Sequence, residues 1–219
     1  MREVFQQELK EVQNRLVEIA ELVVEAITKA TTAFATPDIS LAEEVIADDP
    51  KIDRMAASLD ELAIDVLVRQ QPVAGDLRLM VTALRVSASL ERMGDLAEHI
   101  AILARHRFPE EVVPPRYQAT FDRMGELDVV VARLLVDLLR TLDLRYSMEI
   151  RDTDDEIDEL HASVFDLLLS HNSTGDPTNV IDVTQASRHH ERFADHAVAI
   201  TKKITYLVSG EHERPLEIH

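Results

Sequence analysis

Cysteine and tryptophan are absent from the 219-residue chain, and it has only five glycines, eight prolines and 4% aromatic residues. Without cysteine there is no disulfide framework, no thiolate zinc site and no cysteine nucleophile. The scarcity of glycine and proline excludes collagen-like and low-complexity classes, and it argues against turn-rich sandwiches and barrels. Hydrophobic residues make up 46% of the chain, which is enough for a packed core and excludes a disordered segment.

Basic residues are few compared with acidic ones. Twenty-three Lys and Arg stand against forty-one Asp and Glu, a net charge of −18 at neutral pH. Such a surface repels the phosphate backbone, so we expect no direct binding to nucleic acid. No apolar run approaches the roughly 18 residues of a membrane-spanning helix, and residues 1–8 lack the apolar core of a secretory signal. We therefore expect a soluble cytoplasmic protein without direct membrane insertion.

Apolar residues recur at steps of three or four from the start of the chain, which is the period of an amphipathic helix. In the first helix they are Phe5, Leu9, Val12, Leu16, Ile19, Val23, Ile27, Ala30 and Phe34. Proline residues and polar runs divide the rest of the chain into five further helical stretches. The second helix ends near residue 70 and the third near 107. The fourth, fifth and sixth cover about 116–142, 146–171 and 177–209. Strand signals are absent. The pattern predicts an all-α protein of six long helices.

The two halves of the sequence resemble each other. Residues 91–100 and 191–200 match at five of ten positions, and the acids at 49 and 53 mirror those at 154 and 158. A duplicated unit explains both the length and the proline-containing segment at the midpoint. We predict two tandem three-helix bundles related by an internal pseudo-twofold repeat, at 1–108 and 116–210, with a linker at 109–115 and a tail at 211–219.

Each half contains two pairs of acids spaced four residues apart, so each pair lies on one face of a helix. The pairs are Asp49/Asp53 and Glu91/Asp95 in the first half, and Asp154/Asp158 and Glu191/Asp195 in the second. Paired carboxylates repel each other, and a bound cation reverses the sign of that interaction. Two pairs facing each other across a groove would offer four oxygen ligands to Mg, Mn, Fe or Zn. His99, one turn after Asp95, could add a nitrogen ligand.

The alternative is a solvated acidic surface, because a chain so rich in acids contains several such pairs by chance. The matched placement in both halves favours a cation site. The apolar stripes of the third and sixth helices leave the acids on another face, so we expect them at an outer surface. Leu77, Val81 and Leu84 share that face in the third helix, and they are either additional core or a contact for another protein.

Catalytic patterns are weak. No Glu-x-x-His pair of the ferritin type occurs, and Asp158-x-x-His161 is the nearest approach. No glycine-rich phosphate loop is present. His189 and His190, next to Glu191, could bind a metal, but a solvent-facing pair is the expected arrangement. We expect a protein that is not an enzyme.

Three segments carry a resemblance to a known family: residues 69–78 (RQQPVAGDLR), 91–95 (ERMGD) and 191–196 (ERFADH). With them the chain resembles the PhoU family of phosphate-uptake regulators over nearly its whole length. The resemblance implies six helices with pseudo-twofold symmetry, and surface metal clusters of Fe, Zn, Mn or Mg on the duplicated acid motif. Carried over by position, the ligands are Asp49, Asp53, Glu91, Asp95, Asp154, Asp158, Glu191 and Asp195. His99 stands one turn after the first motif, where the second half has Ala199.

The resemblance also implies a role. The family represses the phosphate regulon when phosphate is plentiful, as an adaptor between the ATPase subunit of the phosphate ABC transporter and a membrane-bound sensor histidine kinase. Recruitment to the membrane would then be peripheral, through these partners, and homodimers are common in the family. A metal-binding helical bundle with a redox, storage or hydrolytic role is the alternative.

Overall fold

The computed structural model describes residues 2–170 and 176–210, and every long segment among them is an α-helix. The helices are α1 (Arg2–Ala35), α2 (Ile39–Gln70), α3 (Gly75–Arg107), α4 (Pro115–Thr141), α5 (Arg145–Ser170) and α6 (Pro177–Ser209). No β-strand occurs in these two ranges, so the all-α prediction is confirmed. Residues 171–175, within the predicted break before the sixth helix, and the predicted tail 211–219 lie outside the described residues.

Side-chain and proline signals fix where the helices begin. The Asp38 carboxylate accepts hydrogen bonds from the backbone N–H groups of Ser40 and Leu41, at 3.0 and 3.2 Å, and so caps the start of α2. Asp176 caps α6 in the same way through the N–H of Thr178 at 3.0 Å. Proline occupies the first turn of α4 and of α6, where its missing N–H is not needed.

Helices α1–α3 pack together, and α4–α6 pack together, each as an up-down-up group. Helix α2 packs only on α1 and α3, and α5 packs only on α4 and α6, so these two helices are the outermost. The halves meet through α1 against α4 and α3 against α6, and the apolar residues form one continuous core. Helices α2 and α5 therefore lie where their outer faces can present side chains to solvent.

The interfaces between the halves are antiparallel. Gln13 in α1 donates a hydrogen bond to the Leu139 carbonyl in α4 at 3.0 Å, while the rings of Phe34 and Phe121 meet 5.5 Å apart near the other end. Pairs of long helices in this arrangement bury their apolar stripes along most of their length. Within the described residues, no helix has a stretch apolar and long enough to cross a bilayer.

Candidate metal centres

Three of the predicted ligands of the first half converge in the structure. Asp49 and Asp53 lie on α2, and Asp95 lies on α3. One carboxylate oxygen from each of the three lies within 4.8 Å of the other two. Oxygen ligands bind Mg²⁺ or Ca²⁺ at roughly 2.0–2.6 Å, so oxygens that bind one ion are at most about 5 Å apart. The three aspartates therefore have the spacing of a cation site.

The electrostatics of this group show how closely the acids are held. Burial, followed by the charges of Glu98, Asp53, Asp95 and Glu91 in that order of effect, raises the pKa of Asp49 to about 6. A raised carboxyl pKa means that the folded protein disfavours the ionised form, which a bound cation would stabilise. We call Asp49, Asp53, Glu91 and Asp95 the first acidic cluster.

Two acids that extend this cluster were missed from the sequence. Glu98 lies one turn after Asp95 and is the leading charge acting on Asp49. Asp60 lies two turns after Asp53; its charge helps to raise the pKa of Glu91, and its own Oδ1 is buried without a hydrogen-bond partner. Continuing the three-to-four residue spacing by one or two more turns would have found both.

Gly94 lets α2 and α3 approach closely at this cluster. A Cβ atom at Gly94 would lie 3.0 Å from Cδ1 of Ile52 and 3.4 Å from Oδ1 of Asp49. The contact with Ile52 is tighter than ordinary van der Waals contact, so any larger residue would require the side chain of Ile52 or Asp49 to shift. The glycine thus holds the two helices at a separation that lets their carboxylates converge.

The second acidic cluster consists of Asp154, Asp158, Glu191 and Asp195, on α5 and α6. Oδ1 of Asp154 and Oε2 of Glu191 are buried and have no hydrogen-bond partner. Burial first, and then the charges of the neighbouring acids, together raise the pKa of Asp154 to about 7; these acids are Asp158, Asp195, Asp155 and Glu191. Buried polar atoms without partners are uncommon in proteins, and a cation is one way to satisfy them.

The two clusters differ in how far they converge. Across the described residues, Asp49, Asp53 and Asp95 are the only three acids or histidines whose ligand atoms all approach within 4.8 Å. In the second cluster Asp158 and Asp195 are exposed, while Glu191 is only 15% exposed. The expectation of an outer surface is therefore confirmed for the exposed aspartates, but Asp154 and Glu191 are more buried than predicted.

One arginine pairs with each cluster. Arg92 contacts Asp95 at 2.7 Å, and Arg188 contacts Glu191 at 3.3 Å. Both arginines lie three residues from their partner on the same helix and are more than half exposed, so solvent weakens these pairs. Each cluster of four carboxylates keeps an excess of negative charge, which suits a divalent or trivalent cation.

His99 does not join the first cluster. Its ring lies 5.1 Å from that of His189, centroid to centroid, in the interface between α3 and α6. The histidine near an acidic cluster is instead His161, beside the second one. Burial and the charge of Asp195 raise the pKa of Asp158, and His161 is close enough to oppose that rise. His161 Nδ1 lies 2.7 Å from Ser187 Oγ, which holds the ring on the side of α5 that faces α6.

The expectation of a solvent-facing histidine pair at 189 and 190 is wrong. His190 is 1% exposed, and its Nδ1 lies 2.6 Å from Oδ2 of Asp128, which is fully buried. Burial raises the pKa of Asp128 to about 6, although His190 opposes the rise. His190 turns inward because it lies beside the apolar stripe of α6, and its partner lies 62 residues away in α4. The pair joins α4 to α6 inside the core.

Comparison with known proteins gives the family. A family model described as the PhoU domain matches residues 16–104 and again residues 121–204. A phosphate-specific transport system accessory protein PhoU homolog from Mycobacterium bovis is 36% identical over 96% of this chain and 99% of its own length. The PhoU homolog of Rhizobium meliloti is 30% identical over 96% of this chain and 91% of its length.

Solved structures agree with the sequence comparison. The crystal structure of PhoU from Pseudomonas aeruginosa superposes with a TM-score of 0.87, at 28% identity, over 94% of this chain and 100% of that one. A PhoU structure from Streptococcus pneumoniae shares the fold with a TM-score of 0.86 at 24% identity, over 96% of this chain and 100% of that one. The model matches and the relatives together establish that this chain belongs to the PhoU family.

Proposed function

We propose that this chain is a non-enzymatic regulator of phosphate uptake that carries metal ions at its two acidic clusters. The observation that carries the metal part is the convergence of Asp49, Asp53 and Asp95 to within 4.8 Å. The regulatory part is supported by the relatives, which are named as accessory proteins of phosphate-specific transport systems. A regulator of this kind works by binding other proteins.

In the first cluster, Asp49, Asp53 and Asp95 would hold the ion, with Glu91 beside them. The ion would supply positive charge between α2 and α3, so the carboxylates would no longer repel each other. An all-oxygen ligand set favours Mg²⁺ or Mn²⁺. In the second cluster, His161 stands beside the carboxylates, and a nitrogen ligand extends the range to Fe or Zn.

The proposed partners are the ATPase subunit of the phosphate ABC transporter and the sensor histidine kinase of the phosphate two-component system. Such an adaptor shifts the kinase between states by binding one state more tightly than the other. The protein would act in the cytoplasm, as a homodimer, and reach the membrane only through these partners. Its charge of −18 suits basic patches on proteins and opposes direct contact with anionic lipid or nucleic acid.

Affinity capture of the tagged protein from phosphate-replete cells, read by mass spectrometry, tests the adaptor. We expect the transporter ATPase or the sensor kinase to be enriched with the wild-type protein. An Asp49→Asn/Asp95→Asn variant tests whether the metal matters, with Glu43→Gln/Glu61→Gln, two exposed acids elsewhere on α2, as the matched control. Enrichment of neither partner by the wild-type protein would contradict the adaptor function.

A metal-binding bundle with redox, storage or hydrolytic activity is the second candidate. The observation in its favour is His161, because a mixed histidine and carboxylate set with an exposed side is typical of reactive metal sites. Protein purified from cells and analysed for metal content would distinguish the two. This candidate would be supported if the wild-type protein contained stoichiometric iron and its bound Fe²⁺ were oxidised by oxygen in air. The His161→Gln variant should then fail to promote that oxidation.

A further inference from the structure

A groove separate from both acidic clusters lies between the first turns of α3 and the last turns of α6. Its volume is about 510 Å³, and four cationic side chains line it: Arg78, Arg85, Lys202 and Lys203. Leu77 and Val81 are its exposed apolar residues, and no acidic side chain of residues 2–170 or 176–210 lines it. We call this surface the basic groove. It stands out on a chain whose acids outnumber its bases by almost two to one.

The cations of the basic groove have no acidic partners among the described residues. None of the four forms an ion pair within 4 Å, whereas nine other basic residues of the described ranges form ion pairs with Asp or Glu. The Nζ of Lys203 donates only to the Ser89 hydroxyl and the Ala199 carbonyl, and the Nε of Arg78 is buried without a hydrogen-bond partner.

These cations also repel one another. The pKa of Lys203 is lowered by burial first and then by the charges of Arg85 and Lys202. A cluster of positive charges that has no acidic side chains to neutralise it is stabilised when an anionic group binds among them. Since the described residues supply no compensating acid, neutralising the positive charge of the groove requires carboxylates or another anion from beyond them.

The apolar residues narrow the choice of anion. Leu77 is 41% exposed and Val81 is 38% exposed, one helical turn apart on α3, whereas Leu84 packs against the core. Each of the two predictions for this face therefore holds for some of its residues. Leu84 is additional core, whereas Leu77 and Val81 are exposed and available for contact with another protein. A small inorganic anion would leave Leu77 and Val81 exposed, but an amphipathic peptide would cover them.

The dimensions also fit a peptide. The groove follows α3 from Ala74 to Arg85, about 16 Å at 1.5 Å per residue, which is three helical turns. The sequence segment 69–78 supplies Ala74, Leu77 and Arg78 to it and contributes nothing to the acidic clusters. These three residues therefore line a surface that is separate from the proposed metal sites.

We propose that the basic groove binds a short acidic amphipathic segment of a partner protein. Apolar side chains of that segment pack on Leu77 and Val81, and its carboxylates pair with Arg78, Arg85, Lys202 and Lys203. This binding needs neither metal in the acidic clusters nor the transporter and kinase as the partners, so it goes beyond the proposed function. An anionic membrane is disfavoured as the occupant, because the rest of the surface would face the lipid with a net charge of −18.

Fluorescence anisotropy with a labelled peptide of about twelve residues, the length of three helical turns, tests the proposal. The probe is a glutamate-rich helix with leucines four residues apart, and its control has the same composition with the leucines dispersed around the helix. We expect the first peptide to bind and its affinity to fall as salt is raised. We expect the dispersed peptide to bind at least about fivefold more weakly, since it cannot cover both apolar residues.

Charge reversal identifies the surface. Arg85→Glu with Lys202→Glu, both exposed residues, should weaken the acidic peptide at least about tenfold. Lys10→Glu with Arg133→Glu makes the same change of net charge at exposed residues elsewhere and should have less than about a twofold effect. The Arg85→Glu/Lys202→Glu protein should in turn bind the lysine version of the peptide more tightly than the Lys10→Glu/Arg133→Glu protein does.

Four results would overturn the proposal. They are no binding of the acidic peptide by the wild-type protein, equal binding of the dispersed peptide, equal losses in the two charge-reversed proteins, and displacement of the peptide by millimolar inorganic phosphate. Sedimentation with phosphatidylglycerol vesicles that depends on Arg85 and Lys202 would identify a membrane surface instead. Circular dichroism of both variants confirms that they remain folded, so a loss of binding reports on the surface.

Discussion

The two acidic clusters are repeats of one motif, but their surroundings differ. Alignment of the halves places Asp49 with Asp154 and Glu91 with Glu191, and the flanking positions then diverge in four pairs. These are Glu98 with Val198, Asp60 with Phe165, Ala56 with His161, and Gly94 with Ala194. Both halves have the carboxylates of the motif, while the residues one or two turns away give the first cluster more oxygen donors and the second a histidine.

The comparison also shows how a single small residue sets the geometry. Gly94 leaves Ile52 and Asp49 almost no space for a Cβ atom, and the first cluster brings three ligand atoms within 4.8 Å. At the equivalent place α6 has Ala194, which is fully buried, and the second cluster shows no such convergence. The close approach of α2 and α3 at Gly94 thus accompanies the convergence of the acids in the first cluster.

Removing the ligands of one cluster should have the largest effect on the difference in metal binding between the two clusters. Asp49→Asn with Asp53→Asn should lower the affinity of the first cluster for Mn²⁺ at least about hundredfold, because two charged oxygen ligands become neutral amides. Titration calorimetry should show one class of site lost and the other retained. The reciprocal variant, Asp154→Asn with Asp158→Asn, should leave Mn²⁺ binding at the first cluster unchanged. Loss of both classes in either variant would mean that the clusters do not act independently.

Gly94→Ala tests the role of helix separation. We expect about a tenfold loss of Mn²⁺ affinity at the first cluster, together with a destabilisation of about 1–2 kcal/mol from overpacking against Ile52. The matched change, Ala194→Gly, should leave Mn²⁺ binding at the first cluster unchanged. Calorimetric titration and thermal unfolding of the metal-free proteins measure the two effects. Unchanged metal affinity in Gly94→Ala, with the destabilisation present, would separate packing from ligand geometry and contradict the account.

His161→Gln sharpens the difference in metal preference. Because imidazole favours Zn²⁺ much more than Mg²⁺, we expect about a tenfold loss of Zn²⁺ affinity at the second cluster and little change for Mg²⁺. His99→Gln is the control, since the His99 ring contacts His189 and its nitrogens are not among the converging ligand atoms. Competition with a zinc indicator provides the measurement. An equal loss in both variants, or none in His161→Gln, would remove the histidine from the site.

The pH dependence of stability compares the clusters without metal. The pKa of Asp154 is about 7 and that of Asp49 about 6 in the folded protein, against 3.8 when unperturbed. At these two groups the folded state therefore binds more protons than the unfolded state between these values, and their contribution to stability falls as pH rises through that window. Because the groups are partly exposed, we expect a loss of about 1 kcal/mol for each.

Substitution by asparagine separates the two contributions. In chelator-treated protein, Asp154→Asn should remove the Asp154 share of the fall, which extends to about pH 7, and Asp49→Asn should remove the Asp49 share, which ends at about pH 6. Urea unfolding at several pH values gives the free energies. Asp128, whose pKa is also about 6, remains in both variants and supplies a common background. A free energy of unfolding that changes with pH in the same way in the wild-type and Asp154→Asn proteins would contradict the predicted contribution of Asp154.

The sequence predicted the helices well because each has a long apolar stripe and a polar or proline break at its end. It also predicted which acids face each other, since residues four apart share a face and the halves repeat. It failed for His190, whose partner Asp128 lies on another helix and has no local signal. His99 was placed by its spacing from Asp95, but α6 packs against that side of α3 and brings His189 to it.

The central claim is that the first acidic cluster is a metal site, and diffraction from crystals grown with MnCl₂ tests it most directly. The anomalous difference map measured near the manganese edge should contain a peak within ligand distance of Asp49, Asp53 and Asp95. The same map from the Asp49→Asn/Asp53→Asn protein should lack that peak. A well-ordered cluster without anomalous density in the wild-type crystal would contradict the account and leave these carboxylates as a solvated acidic surface.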